Sequence, residues 1–137
     1  MEEQMKDELS HSKACIIYEV NDICRKHKEY HNLKNSDLFE QDAENIIDQL
    51  HELPASVQVR SGWTDLVSQK FTPEEFKIEL SGGGPATRII GELDNYGEVW
   101  SVKAQHQHWG IPWTDLVLDD QQTIAVTWFA SLFYYGQ

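Results

Sequence analysis

The spacing of apolar residues changes at Pro54 and again near residue 119, which predicts helices before Pro54, strands between these two points and one more helix at the end. Before Pro54, apolar residues recur every three or four positions, as on one face of an α-helix. After Pro54, apolar and polar residues alternate, as in half-buried β-strands. A chain of 137 residues suits one domain with its own core. We therefore expect residues 1–137 to form a single domain, with about the first eight residues flexible.

Three helices are predicted from these patterns and from their end signals. The first spans about residues 8–30. The second starts at Asp37 as the N-cap, with Glu40 three residues later as in a capping box, and Pro54 ends it. The last helix begins after Asp119 or Asp120 and carries an apolar stripe.

Four strands are predicted between Pro54 and the last helix. They contain Val57 and Val59, residues 76–80, residues 87–93 and residues 98–108. Residues 94–97 form a clear turn, so the last two strands are expected to pair as a hairpin. Sequential strands with short connections favour an antiparallel sheet. The sequence thus predicts an α+β fold in the order α-α-β-β-β-β-α, with a four-stranded antiparallel sheet and helices packed on one face.

Acidic residues dominate the charge of the chain and are dense in the second predicted helix. Asp and Glu number 23 against 11 Lys and Arg, a formal charge of −12. Such a field repels nucleic acids and anionic membranes and attracts basic surfaces. No Lys or Arg lies between Lys34 and Arg60. Either this helix offers an anionic binding face, or its acids serve solubility alone. The candidate partner-binding acids are Asp37, Glu40, Glu44, Asp48 and Glu52.

Tryptophans and acids in predicted loops form a second candidate binding surface. The pentapeptide Trp-Thr-Asp-Leu-Val occurs at residues 63–67 and again at 113–117, each time where a strand leads into a loop. Tryptophan is enriched at binding hot spots. Either an aromatic and acidic rim forms there, or these rings cap the sheet. The rim would contain Trp63, Asp65, Trp109, Trp113 and Asp115.

Four histidines offer a metal-dependent alternative. His27 and His31 are four apart on a helix, and His106 and His108 are two apart on a strand, so each pair shares a face. If the helix and strand converged, the four would suit zinc. The other interpretation is that these residues only pack. We predict no catalytic residue, no bound metal and no cofactor.

The cysteines and the N-terminus bear on the compartment. Cys15 and Cys24 are nine residues apart in the first predicted helix, so roughly 13 Å separates them, too far for a disulfide. Free thiols suit a reducing compartment. The first ten residues are polar and acidic rather than a signal sequence. These features predict a cytoplasmic protein.

Several stretches resemble a family of small acidic proteins encoded by prophages, plasmids and integrated mobile elements. They are residues 29–33, 56–61, 83–94, 96–98 and 109–114, and the resemblance covers about residues 20–133. That family has no firmly assigned activity, and its members carry an Asp where this chain has His108. The resemblance implies an accessory protein of a mobile element in a bacterial host cell.

Charge and resemblance together suggest a function directed against host defence. We expect a non-enzymatic DNA mimic that binds a basic nucleic-acid-binding protein or nuclease complex of the host stoichiometrically. It would compete with nucleic acid as an anti-CRISPR or anti-restriction inhibitor. The alternatives are a small metal-dependent hydrolase that uses the four histidines, or a phage accessory or adaptor protein. We expect no direct binding of nucleic acid or membrane, and leave a homodimer open.

Overall fold

The computed structural model describes residues 2–34, 40–67, 72–82 and 85–136. Within these ranges the helices are α1 (Glu2–Lys34), α2 (Glu40–Glu52) and α3 (Asp120–Ala130). The strands are β1 (Ser56–Ser61), β2 (Pro73–Ser81), β3 (Pro85–Leu93), β4 (Val99–His108) and β5 (Thr114–Leu116). The predicted α+β class and the predicted order of helices and strands are confirmed, with one short strand added after β4.

Helix α1 is longer at both ends than the predicted span of residues 8–30, and one short strand was not predicted. Helix α1 begins at Glu2, so residues 2–8, expected to form a flexible terminus, lie within the helix. Residues 114–116, expected in a loop, form β5 because they pair with the free edge of β4. The predicted N-cap, Asp37, lies outside the described residues.

The five strands form one antiparallel sheet in which each strand pairs with its neighbour in sequence, so β1 and β5 are the edges. Alternation gives the sheet a helix-side face and an open face. On the helix side, the register aligns Ile78, Ile89 and Ala104, all fully buried. Helices α1 and α3 cover β4, α1 also covers β3, and α2 packs on α1.

The helices hold this arrangement through short apolar stripes. On α1, Ile16, Val20 and Ile23 are fully buried at spacings of four and three. Helix α3 starts with a complete capping box. Asp119 Oδ1 accepts from Gln122 N at 2.7 Å, and Gln122 Oε1 accepts from Asp119 N at 3.0 Å. One core therefore joins all three helices to the sheet.

The β3–β4 hairpin forms as predicted, although one residue on it points elsewhere. Asp94 Oδ1 accepts from the backbone N–H groups of Tyr96 and Glu98, and Gly97 supplies the positive φ of the turn. Regular alternation along residues 98–108 would place Trp100 on the same face as Val102. A register shift leaves Trp100 as the extra residue of a bulge, where its side chain is exposed.

Candidate functional site

Helix α2 presents four acids in a row toward solvent. Glu40, Glu44, Asp48 and Glu52, called here the α2 stripe, are all exposed. Successive members are four residues apart, or about 6 Å along the helix axis. The opposite side of the helix is anchored in the core. Its buried residues are Ala43, Ile46 and Leu50.

No cation compensates the α2 stripe within the described part of the chain. Its members take part in none of the ion pairs found there, whereas Asp22 on α1 pairs with both Arg25 and Lys26. Like charges four residues apart destabilise a helix by about 0.2–0.5 kcal/mol per pair. Acids near the C-terminus, such as Glu52, also oppose the helix dipole. The α2 stripe therefore carries a cost that helix stability does not explain.

The tryptophan rim expected from the sequence is divided between the two ends of the sheet. Ser61, at the end of β1, pairs with the start of β2, and Trp63 follows it at that end. Trp109 follows His108, which pairs with Pro85 at the opposite end. The prediction of a single rim was wrong because loop composition says nothing about which sheet end a loop occupies. Both rings are nevertheless highly exposed, Trp63 completely so.

The second pentapeptide is built into the open face. Trp113 is half-buried, and its ring centroid lies 3.9 Å from Cζ of Arg88. Asp115 Oδ1 accepts from Gln105 Nε2 at 2.7 Å, and its other oxygen lies 3.9 Å from Lys103 Nζ. Asp65, in the first pentapeptide, is exposed. Trp113 and Asp115 thus contact other side chains on the open face, while Asp65 of the first pentapeptide faces solvent.

The open face also carries a cavity of about 780 Å³ that sequence reasoning missed. Four basic side chains line it, namely Arg60, Lys77, Arg88 and Lys103. Each occupies a polar position in an alternating strand, which is the signal that could have identified them. Burial lowers the pKa of the Arg88 guanidinium, and the nearby Glu79 carboxylate opposes that shift.

The four histidines do not form one site. The rings of His27 and His31 lie 4.4 Å apart and pack against Trp128. His106 is buried on the helix side of β4, and His108 is half-buried at the end of that strand. Across the described ranges, no three His, Cys, Asp or Glu side chains are placed to hold a metal ion. The helix and strand pairs thus fail to converge as the zinc alternative required.

A small polar cluster lies instead between α1 and the sheet. Ser12 Oγ lies 2.9 Å from His106 Nδ1, and Thr87 Oγ1 donates to Glu19 Oε1 at 2.7 Å. Ser12, Thr87 and His106 are almost fully buried. Burial lowers the pKa of His106 and raises that of Glu19, so the cluster favours neutral side chains. Since each group has a partner, the cluster satisfies buried polar atoms in the core.

The two cysteines are free and half-buried. Burial raises the pKa of the Cys24 thiol, and the negative charge of Asp119 raises it further. A thiol whose pKa is raised is a poor nucleophile near neutral pH. Cys24 packs against the core and behaves as a small apolar residue.

Two further findings bear on the class of protein. Of the helices in the described ranges, none combines the length and apolar character needed to cross a membrane. The resemblance to mobile-element proteins stays a prediction. Comparison of the chain with protein-family models, curated proteins and solved structures finds no match.

Proposed function

We propose that this protein is a non-enzymatic inhibitor, encoded by a mobile element, that binds a nuclease complex of bacterial host defence. It would act in the cytoplasm by occupying a basic surface that otherwise holds nucleic acid, as an anti-CRISPR or anti-restriction protein. The observation that carries this proposal is the α2 stripe. Its four acids are exposed, regularly spaced and without ion pairs in the described part of the chain.

The geometry of the α2 stripe suits competition with a nucleic-acid backbone. From Glu40 to Glu52 the stripe extends roughly 18 Å along the axis, at about 1.5 Å per residue. Ala43, Ile46 and Leu50 fix the helix in the core, so the charges are held at set spacings. A groove lined by Lys and Arg gains favourable contacts from such a row, as it does from phosphates. Binding by this route excludes nucleic acid from the same groove.

The first pentapeptide offers a second contact. Trp63, Leu66 and Val67 are almost completely exposed and follow directly after β1. Tryptophan is enriched among the few residues that supply most of the binding energy at interfaces, so Trp63 would be the main anchor and Leu66 and Val67 would add apolar contact area. Trp109 offers a similar ring at the other end of the sheet. Because the two rings are far apart, at most one of them is expected to lie beside the α2 stripe in a compact interface.

A charge-reversal experiment tests the proposal. The triple variant Glu40→Lys, Glu44→Lys and Asp48→Lys should fold normally, because exposed charges contribute little to stability. The matched control reverses three exposed acids elsewhere, Glu29, Glu74 and Glu98, and changes the net charge equally. Each protein is added to purified restriction nucleases and RNA-guided nuclease complexes, and DNA cleavage is measured.

The outcomes separate a specific surface from net charge. We expect the wild type and the control to inhibit at least one nuclease, and the stripe variant to inhibit at least tenfold less. Inhibition by the wild type should weaken as salt rises. Equal loss in both variants would show that only net charge matters. Absence of inhibition across the panel, or full activity of the stripe variant, would reject the proposal.

A further inference from the structure

The cavity on the open face, called here the face pocket, has a charge opposite to that of the whole protein. Its lining holds four Lys and Arg against two Glu, a formal charge of +2 in a chain of −12. Its volume of about 780 Å³ lies within the range of small-molecule sites. The basic members are Arg60, Lys77, Arg88 and Lys103, and the acids are Glu75 and Glu92.

Arg88 is held in place by its neighbours on the sheet. Its Nε donates to Gln105 Oε1 at 2.8 Å, and Gln105 in turn donates to Asp115. The ring of Trp113 packs against the guanidinium. These contacts leave the Nη atoms without a hydrogen bond among the described residues. A fixed guanidinium with free Nη groups suits two-point binding of an oxyanion, and its fixed position reduces the entropy lost on binding.

Two lysines flank the same place. The register puts Lys77 and Lys103 on either side of Ile90, which lies two residues from Arg88 on β3. Lys77 forms no ion pair within the described ranges, and Lys103 has only the long contact to Asp115. Three cations thus surround one apolar side chain.

The acids around the face pocket are engaged in part. Arg60 Nε donates to Glu75 Oε2 at 2.6 Å, and the two side chains form an ion pair. Glu79, opposite Arg88 and outside the pocket lining, accepts from Ser56 Oγ at 3.0 Å. Glu92 is exposed and lies opposite Ser101, its partner on β4. The positive potential is therefore expected to be greatest around Lys77, Arg88 and Lys103.

We propose that the face pocket binds a small phosphate monoester. The Arg88 fork and the ammonium groups of Lys77 and Lys103 would hold the phosphate, and the organic part would lie on Ile90. A phosphate monoester carries a charge of about −1.5 to −2 near neutral pH, which matches the lining. The helices pack on the other face of the sheet, so this site is independent of the α2 stripe and of the proposed inhibitor function.

Isothermal titration calorimetry with three probes tests the site. Phenyl phosphate supplies the dianion and an apolar body, inorganic phosphate lacks the body, and phenyl sulfate keeps the shape with a single charge. We expect phenyl phosphate to bind most tightly. Arg88→Lys, Lys77→Met and Lys103→Met should each weaken it by about tenfold, the loss expected for one charge-assisted hydrogen bond. Lys28→Met, which removes an exposed lysine of α1, is the matched control and should bind normally.

A second measurement locates the ligand and guards against misfolding. In NMR spectra of the labelled protein, the Arg88 Nε–H signal should shift on addition of phenyl phosphate. If circular dichroism shows that Arg88→Lys is unfolded, the comparison of Lys77→Met and Lys103→Met with the control Lys28→Met tests the site. Equal losses in Lys77→Met and Lys28→Met, or no saturable binding up to roughly 10 mM ligand, would overturn the proposal. Tighter binding of a short single-stranded oligonucleotide would replace it with a nucleic-acid site.

Discussion

The ring of Phe76 on β2 packs against Gly91, its cross-strand partner on β3. A Cβ atom on Gly91 would lie 2.7 Å from two carbons of that ring and would also collide with the backbone carbonyl of Ser101. Backbone atoms cannot move aside without breaking the β3–β4 ladder. Glycine is therefore required here by close approach of its neighbours.

Gly91→Ala should destabilise the protein strongly. We expect a loss on the order of 3 kcal/mol, since overpacking typically costs 1–3 kcal/mol and the clash here includes backbone. Urea denaturation followed by circular dichroism measures it. The control is Gly82→Ala, where an added Cβ meets no atom within 4 Å. Equal stability of the two variants would show that the sheet yields at Gly91 more easily than its packing indicates.

Glu44→Lys should make the protein more stable while weakening any partner that uses the α2 stripe. The change replaces two like-charge contacts, with Glu40 and Asp48, by two attractive ones. We expect the melting temperature to rise by about 2–4 °C at low salt. Glu44→Gln, which only removes the repulsion, should give a smaller rise. A fall in melting temperature would mean that Glu44 has a structural role.

Stability should decrease as the pH falls below about 6.5, in part because of His106. Its folded-state pKa lies below the ordinary value, so the unfolded chain binds the proton first. His27 acts in the same direction, whereas the raised pKa of Glu19 acts in the opposite direction. His106→Gln should therefore flatten, without abolishing, the decrease between pH 7 and pH 5.5.

Urea titrations at several pH values provide this comparison. The difference in slope between wild type and variant isolates His106, since the other groups are common to both. An unchanged slope would show that His106 titrates normally when folded.

The two pentapeptide tryptophans should respond differently to truncation. Trp63 is fully exposed, so Trp63→Ala should change stability by less than about 0.5 kcal/mol. Trp113→Ala removes the stacking on the Arg88 guanidinium, which also donates to Gln105, and should cost about 1–2 kcal/mol. Chemical denaturation of both variants measures the difference. Similar costs would indicate that Trp63 packs in solution or that the Arg88 contact contributes little.

Periodicity predicted most of the fold, and long-range contacts account for what it missed. Helix and strand spacing identified the three helices, four strands and the β3–β4 hairpin. Strand β5 was not visible because its pairing depends on the edge of β4, and residues 114–116 are too few to show alternation.

The candidate sites show the same difference between local spacing, which the sequence reveals, and long-range contacts, which it does not. The acids from Glu40 to Glu52 are exposed, as a helical face predicts from local spacing. The prediction of a tryptophan rim was wrong because it depended on which end of the sheet each loop occupies, and local spacing does not show this. Arg88, Trp113 and Gln105 come together from three different strands or loops, and no local pattern joins them. Likewise, the Ser12–His106 contact joins residues 94 positions apart.

The repeated pentapeptide gives the edge of β4 two candidate strands of identical sequence, and folding must choose between them. Only five residues separate β4 from β5, whereas about thirty separate residues 63–67 from β4. Closing the shorter loop costs roughly 1.5–2 kcal/mol less. During synthesis, however, the first copy emerges before β4 and the second after it. The shorter connection nevertheless favours the second copy, and it is this copy that pairs with β4 as β5.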